Sequence, residues 1–157
     1  MKIFVSSQNV PIGYTVPPFP SLYWPLGPTS SDFESLYLYY SFDIWKFTVF
    51  WSLILFGGFY LTAGLLAVFN QISNNYRHKI SNPILKGTIL GCIVLVLMYL
   101  LLGLAQGFIC GAIIGLLLLA IYKAGSLNMS TWIPFCWGIA EILFNVCCLY
   151  LTSLVIL

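Results

Sequence analysis

Charged side chains are the scarcest feature of this sequence: six Lys or Arg and four Asp or Glu in 157 residues, 6% of the chain. A soluble domain carries about 25% charged residues, so this chain could not cover its own surface with polar groups. The net charge of +2 is small and its basic residues are local, which excludes a basic face for nucleic acid. The five cysteines (Cys92, Cys110, Cys136, Cys147, Cys148) all lie in apolar runs. Their spacing matches neither a zinc site nor a disulfide framework, and they read as small hydrophobic packers. The sequence has no Gly-rich phosphate loop after a strand, no HExxH and no intramembrane Ser/His or paired aspartates. No catalytic residue, cofactor or metal is therefore expected, and the chain reads as a non-enzyme. It also lacks the internal repeat and the mass of a typical secondary transporter. Met1–Asn9 lacks the continuous apolar core of a signal peptide, so the first long apolar run is expected to act as an uncleaved signal anchor.

What is present is hydrocarbon, 61% of the residues. The chain is an integral membrane protein of all-α class. Six of the eight prolines fall in residues 1–30, where they forbid helix and predict an extended arm whose Tyr and Trp suit a membrane interface. Ser31-Asp-Phe-Glu34 is a capping-box pattern, and a short interfacial helix is expected through Leu36–Tyr40, closing an arm of residues 1–42. Asp43 offers a cap for the next helix. Phe47 to Phe69 is free of charge and long enough to cross a hydrocarbon core of about 30 Å. Within it Gly57 and Gly64 share a face, widened by Ala63 and Ala67, that predicts packing against another helix. The loop at 70–83 holds Arg77, His78 and Lys79, with Lys86 just beyond, against Lys46 alone at the span's other end. The positive-inside rule then puts this loop in the cytosol and the arm in the lumen. His78 reads as a solvated loop residue.

Ile84 to Tyr122 is an apolar run too long for one simple crossing: as a single helix it would reach about 58 Å. Either it is one span with an extended cytosolic-side end, or it is a helical hairpin turning near Gly103–Gly107. All six of its glycines (Gly87, Gly91, Gly103, Gly107, Gly111, Gly115) differ by multiples of four, and a turn would leave only about 22 Å of helix for the return. One span is therefore favoured, giving three in all, at about 47–69, 97–122 and 133–155. The hairpin, giving four, is the alternative, and Lys123 would then be cytosolic. Small residues at four-residue spacing let helix backbones approach closely. Because each step drifts about 40° around the axis, Gly103 to Gly115 forms a slanted groove, with Gln106 beside it able to bond a partner. Gly87 and Gly91, drifted further round, face something else. Asn128-Met-Ser130 is a glycosylation sequon too close to the membrane to expect modification.

Glu141 is the ionisable side chain well inside the membrane, where carboxylates are costly and face the bundle. Glu141, Asn145, Cys148 and Thr152 share one helical face, with Gln106 as a candidate partner on the preceding span. A proton or substrate relay needs more than one carboxylate, so this face reads as polar glue between helices or as a docking edge.

Asp43-Ile-Trp45, Val49-Phe-Trp51-x-Leu53 and Ala63-Gly64-Leu-Leu-Ala-Val-Phe69 resemble the transmembrane protein 170 family at matching spacing. Ile121-Tyr122-Lys123, Asn128-Met129 and Trp137-Gly138 are similar to its later elements. The resemblance covers residues 43–69 and 121–141, is weak between them and is absent over 1–42. Glu141 departs from it, standing where the family has Gln, which favours glue over a proton relay. The resemblance implies a small three-span protein of the endoplasmic reticulum and nuclear envelope, N-terminus lumenal and C-terminus cytosolic, that organises those membranes. Its partners would be the bilayer, other membrane proteins by lateral helix contact, or a second copy. The alternative is an accessory, chaperone-like subunit that stabilises polytopic proteins such as nutrient permeases.

Overall fold

The computed structural model describes residues 14–22, 37–77, 85–125 and 127–156. In the order of the chain these form β1 (Tyr37–Leu38), α1 (Ser41–Arg77), α2 (Leu85–Gly125), β2 (Met129–Ser130) and α3 (Trp132–Ile156). Ser31–Glu34, His78 and Lys79 lie outside the described residues, as do the side chains of Lys86, Gly87 and Thr152.

In hydrocarbon a backbone must satisfy its own N–H and C=O groups, so long apolar runs become helices. Three helices here are long and apolar enough to cross a membrane, and the chain is an all-α polytopic membrane protein. The segment 84–122 is settled by α2, which is unbroken through Gly103 and Gly107, so the hairpin alternative fails. The helices overrun the expected spans because their polar flanks, Asn70 to Arg77 above all, continue the same backbone ladder.

α1 is the central element. It packs along α2 on one side and against α3 on another, while α3 meets α2 only slightly. Its first turn is closed by the Asp43 and Ile44 N–H groups donating to Tyr40 O at 3.1 and 3.2 Å. Asp43 thus lies inside the first turn rather than at the cap, still favourably placed at the positive end of the helix dipole. α2 ends where Leu127 N–H returns to Tyr122 O at 3.1 Å, the kind of bond that satisfies terminal carbonyls. Pro134 is tolerated in α3 because the first four N–H groups of a helix have no intrahelical partner.

The short helix expected through Leu36–Tyr40 is not formed where the chain is described. Tyr37 and Leu38 are extended and pair antiparallel with Ser130 and Met129. The pairing ties the segment before α1 to the α2–α3 connection and buries Leu38 and Met129 completely, which a helix at 37–38 would not do. Leu38, Met129, Ile44, Phe47 and Leu118 make a buried apolar cluster, with Phe19, Ile114, Tyr122 and Ile133 packed against it. Residues 14–22 of the arm lie on this end of the bundle. Phe19 stands between the rings of Phe47, Phe50 and Trp51, with centroids 5.2 to 5.5 Å apart. Its aromatic surface is spent on the protein rather than on the membrane interface.

Candidate functional site at the three-helix junction

The glycine groove of α2 is filled by α1. A Cβ added to Gly103 would stand 2.6 Å from Tyr60 Cβ, one on Gly107 2.9 Å from Phe56 Cβ, and one on Gly111 2.7 Å from Ser52 Cβ. On Gly115 it would meet Trp45 Cδ1 at 2.9 Å, with Thr48 just behind. Each four-residue step along α2 is thus met by a four-residue step back along α1, two ridges running antiparallel in close register. The fit is reciprocal: Leu104 of α2 lies over Gly57 and Tyr99 over Gly64. Gly91 faces open space. The groove is therefore an internal contact and not a surface held open for another protein.

Ser52 lies where all three helices meet. It is fully buried, Gly111 of α2 presses on its side chain, and its hydroxyl donates to Glu141 Oε2 of α3 at 2.7 Å. One turn before Glu141, Gly138 lets α3 come down on α1: a Cβ there would stand 2.8 Å from Leu55 Cδ1 and 3.7 Å from the Trp51 carbonyl carbon. Bare glycine on α2 and on α3 is what allows a serine hydroxyl on α1 to reach the carboxylate of α3.

Gln106 is not the partner of Glu141. Its Oε1 accepts the hydrogen bond of the Tyr60 hydroxyl, since the turn of α2 that places Gly103 under Tyr60 also brings Gln106 beside that ring. The polar face of α3 emerges from the protein as it proceeds: Glu141 is 9% exposed, Asn145 is half-buried and Cys148 is exposed. Glu141 Oε1 and Asn145 Oδ1 have no hydrogen-bond partner in the protein.

The residues that carried the resemblance build this junction and its cap. Trp45 covers Gly115, Gly64 receives Tyr99, and Gly138 closes α3 onto α1. Trp51 is clasped between Phe19 and Phe135, with ring centroids 5.2 and 4.9 Å away. Tyr122 and Met129 belong to the apolar cluster of the cap. Trp137, by contrast, is 38% exposed and faces outward.

Two hydrogen bonds hold the arm. Tyr14 Oη donates to Tyr37 O at 2.7 Å, and Thr131 Oγ1 donates to Ser21 O at 2.9 Å. The Tyr14 ring meets Tyr39 edge-on at 4.7 Å. Burial, and then the negative charge of Asp43, push the Tyr14 phenol up to about 12.

Among the described residues no three His, Cys, Asp or Glu side chains gather as metal ligands would. What the arrangement does is lock helices together. Ser52, Phe56 and Tyr60 escaped the sequence reading, although Thr48, Ser52, Phe56, Tyr60 and Gly64 recur every fourth residue and so present one face. That face is the complement of the glycine groove, legible only when the two are set antiparallel.

No solved structure matches the chain. It is similar to an uncharacterized protein of Saccharomyces cerevisiae, YPR153W, 41% identical over 146 residues that cover 93% of this chain and 92% of the yeast protein. Residues 37–157 match the model of the family described as Transmembrane protein 170A/B-like, a stretch that begins at β1 and takes in the glycine groove, its α1 complement and the Ser52–Glu141 junction. On that match, which covers most of its length, the chain belongs to the Transmembrane protein 170A/B-like family.

Proposed function

We propose that this protein is a non-enzymatic organiser of the endoplasmic reticulum and nuclear envelope membranes, with its N-terminus lumenal and its C-terminus cytosolic. The observation that carries the reading is unequal helix length. α3 is 25 residues long, whereas α1 and α2 are 37 and 41. At 1.5 Å per residue α3 reaches about 38 Å, enough to cross a hydrocarbon core of about 30 Å, and the other two reach about 56 and 62 Å. Glu141 stands level with Ser52, so Ile156 at the end of α3 stands about level with Ala67 of α1. The α1–α2 pair then runs on for about 15 Å, with side chains such as Phe69 and Leu90 facing outward. A bilayer meets such excess length by thickening, or the pair meets it by tilting. Over the described residues α3 starts level with the start of α1, so the excess falls at one end of the bundle. A one-sided demand of this kind is a physical means of biasing membrane shape.

The orientation follows from the positive charges around 77–86. The test is endoplasmic reticulum morphology in cells lacking the protein, with a shift in the proportion of sheets to tubules expected. Unchanged proportions would refute the reading. A glycosylation tag at the C-terminus is expected to stay unmodified, and modification would reverse the topology.

The accessory-subunit reading, in which the protein stabilises polytopic proteins such as nutrient permeases, no longer has the glycine groove to rest on, because α1 fills it.

A further inference from the structure

Two buried oxygens on α3 lack donors, and both are sealed from their surroundings. Glu141 Oε2 accepts from Ser52, but Glu141 Oε1 has no partner, and Asn145 Oδ1 one turn on has none. Neither atom meets solvent or lipid, so a donor for them must come from inside the protein. A buried acceptor left unpaired costs free energy. The two oxygens are neighbours by helix geometry. Residues four apart share a face, and helical side chains lean back over the preceding turn, so the Asn145 amide leans toward the Glu141 carboxyl.

The nearby donors are spent or out of reach. The Ser52 hydroxyl is used on Oε2, and the Tyr60 hydroxyl goes to Gln106. Trp51 Nε1 is buried and unpaired, but its ring packs on Phe135, about 9 Å before Glu141 along α3. Cys110 of α2 is near enough to sense the charge of Glu141, yet Oε1 takes no bond from its thiol. Among the described residues no cation stands at this level. Lys46 precedes Ser52 by more than a turn and holds its ammonium over the Phe50 ring. Lys123 is about 18 Å past Gly111 along α2. An ionised Glu141 would therefore turn an uncompensated charge toward another acceptor oxygen, a costly state for a buried group.

We propose that Glu141 binds a proton at Oε1 and donates it to Asn145 Oδ1, while Oε2 keeps its bond from Ser52. A protonated carboxyl has one O–H donor and still accepts at its other oxygen. One proton thus satisfies both orphaned atoms and leaves the three-helix junction without charge. Ser52, Glu141 and Asn145 become a single chain of hydrogen bonds running from α1 into α3. The junction is a proton-binding site whose proton is structural. This goes beyond membrane shaping and stands or falls apart from it.

The test is infrared difference spectroscopy of the full-length protein in phosphatidylcholine vesicles at neutral pH. The carbonyl stretch of a protonated carboxyl is distinct from the bands of an ionised carboxylate, and the chain has only four Asp and Glu side chains to assign. A protonated-carboxyl band is expected in wild type and should be lost in Glu141→Gln at unchanged helicity, because the glutamine amide can make the same two bonds. Asn145→Leu takes away the acceptor and should move the band, and Asn145→Ala repeats the measurement with a smaller side chain. Ser52→Ala takes away the donor to the other oxygen and should move the band as well. A wild-type spectrum in which Glu141 contributes only carboxylate bands would overturn the proposal. So would a protonated band that keeps its position in both Asn145 variants, since the proton would then not be shared with Asn145.

Discussion

Replacing Gly111 with alanine adds a single methyl where α1 and α2 press closely at the three-helix junction. That carbon would stand 2.7 Å from Ser52 Cβ, 2.8 Å from Ser52 Oγ and 3.2 Å from Val49 Cα. Carbon atoms prefer a separation of about 3.5–4.0 Å, so α1 and α2 must part by close to an ångström there, or Ser52 must move. Neither is cheap. The neighbouring contacts at Gly107 and Gly115 are nearly as close, at 2.9 Å, and Ser52 moves only by giving up Glu141. Overpacking of this kind costs about 1–3 kcal/mol, and loss of an interhelical hydrogen bond in a membrane adds about 0.6 kcal/mol, at most about 1.7. Gly91→Ala is the internal reference, because a Cβ there meets nothing within 4 Å. Its expected effect is neutral or slightly stabilising, since alanine favours helix over glycine by about 1 kcal/mol. Unfolding of the full-length protein by a denaturing detergent in mixed micelles, followed by circular dichroism, measures both. The reasoning predicts a gap of about 2–4 kcal/mol between the two alanine variants. A Gly111→Ala protein as stable as Gly91→Ala would refute the close packing of α1 on α2.

Ser52→Ala removes the donor that ties α1 to α3 and is expected to cost about 0.6–1.7 kcal/mol, read by the same unfolding assay. Combined with Glu141→Leu in a double-mutant cycle, it should give effects that fail to add, and full additivity would mean that the bond contributes nothing. Tyr60→Phe and Gln106→Leu are expected to behave likewise as a coupled pair between α1 and α2, leaving the coupling of Ser52 to Glu141 intact. The Tyr14 phenol, raised from 10.0 to about 12 by burial first and by Asp43 second, stabilises the docked arm. That contribution is fully present below pH 10 and is lost as pH rises through about 12. Tyrosinate absorbance should show a late-titrating component that is lost in Tyr14→Phe, whereas an unchanged titration curve would remove Tyr14 from its place against Tyr37. Thr131→Val is expected to loosen the arm without unfolding the helices, seen as faster proteolysis near Ser21 at unchanged helicity.

Some of this was legible along the chain and some was not. The near absence of charge and the length of the apolar runs determine membrane helices, because a backbone in hydrocarbon has few other ways to satisfy itself. The common phase of the α2 glycines determined that this stretch is one helix made for contact, since a backbone with no Cβ on one side is an approach surface wherever it occurs. Glu141 identified itself by cost: a carboxylate that deep must face protein. Which helix fills the groove could not be read, because the outward and inward faces of these helices are both hydrocarbon and the amphipathic signal that orients a soluble helix is missing. Only three dimensions showed that Tyr60, Phe56, Ser52 and Trp45 are the other half of the glycine groove. The same holds for the bond between Ser52 and Glu141, 89 residues apart, and for Tyr37–Leu38, extended rather than helical because Met129–Ser130 lies opposite. Phe19, too, turns from the bilayer only because Phe47, Phe50 and Trp51 offer it a slot. Sequence determines what each helix is made of, but pairing between segments is a property of two surfaces at once, and that was decided by the fold.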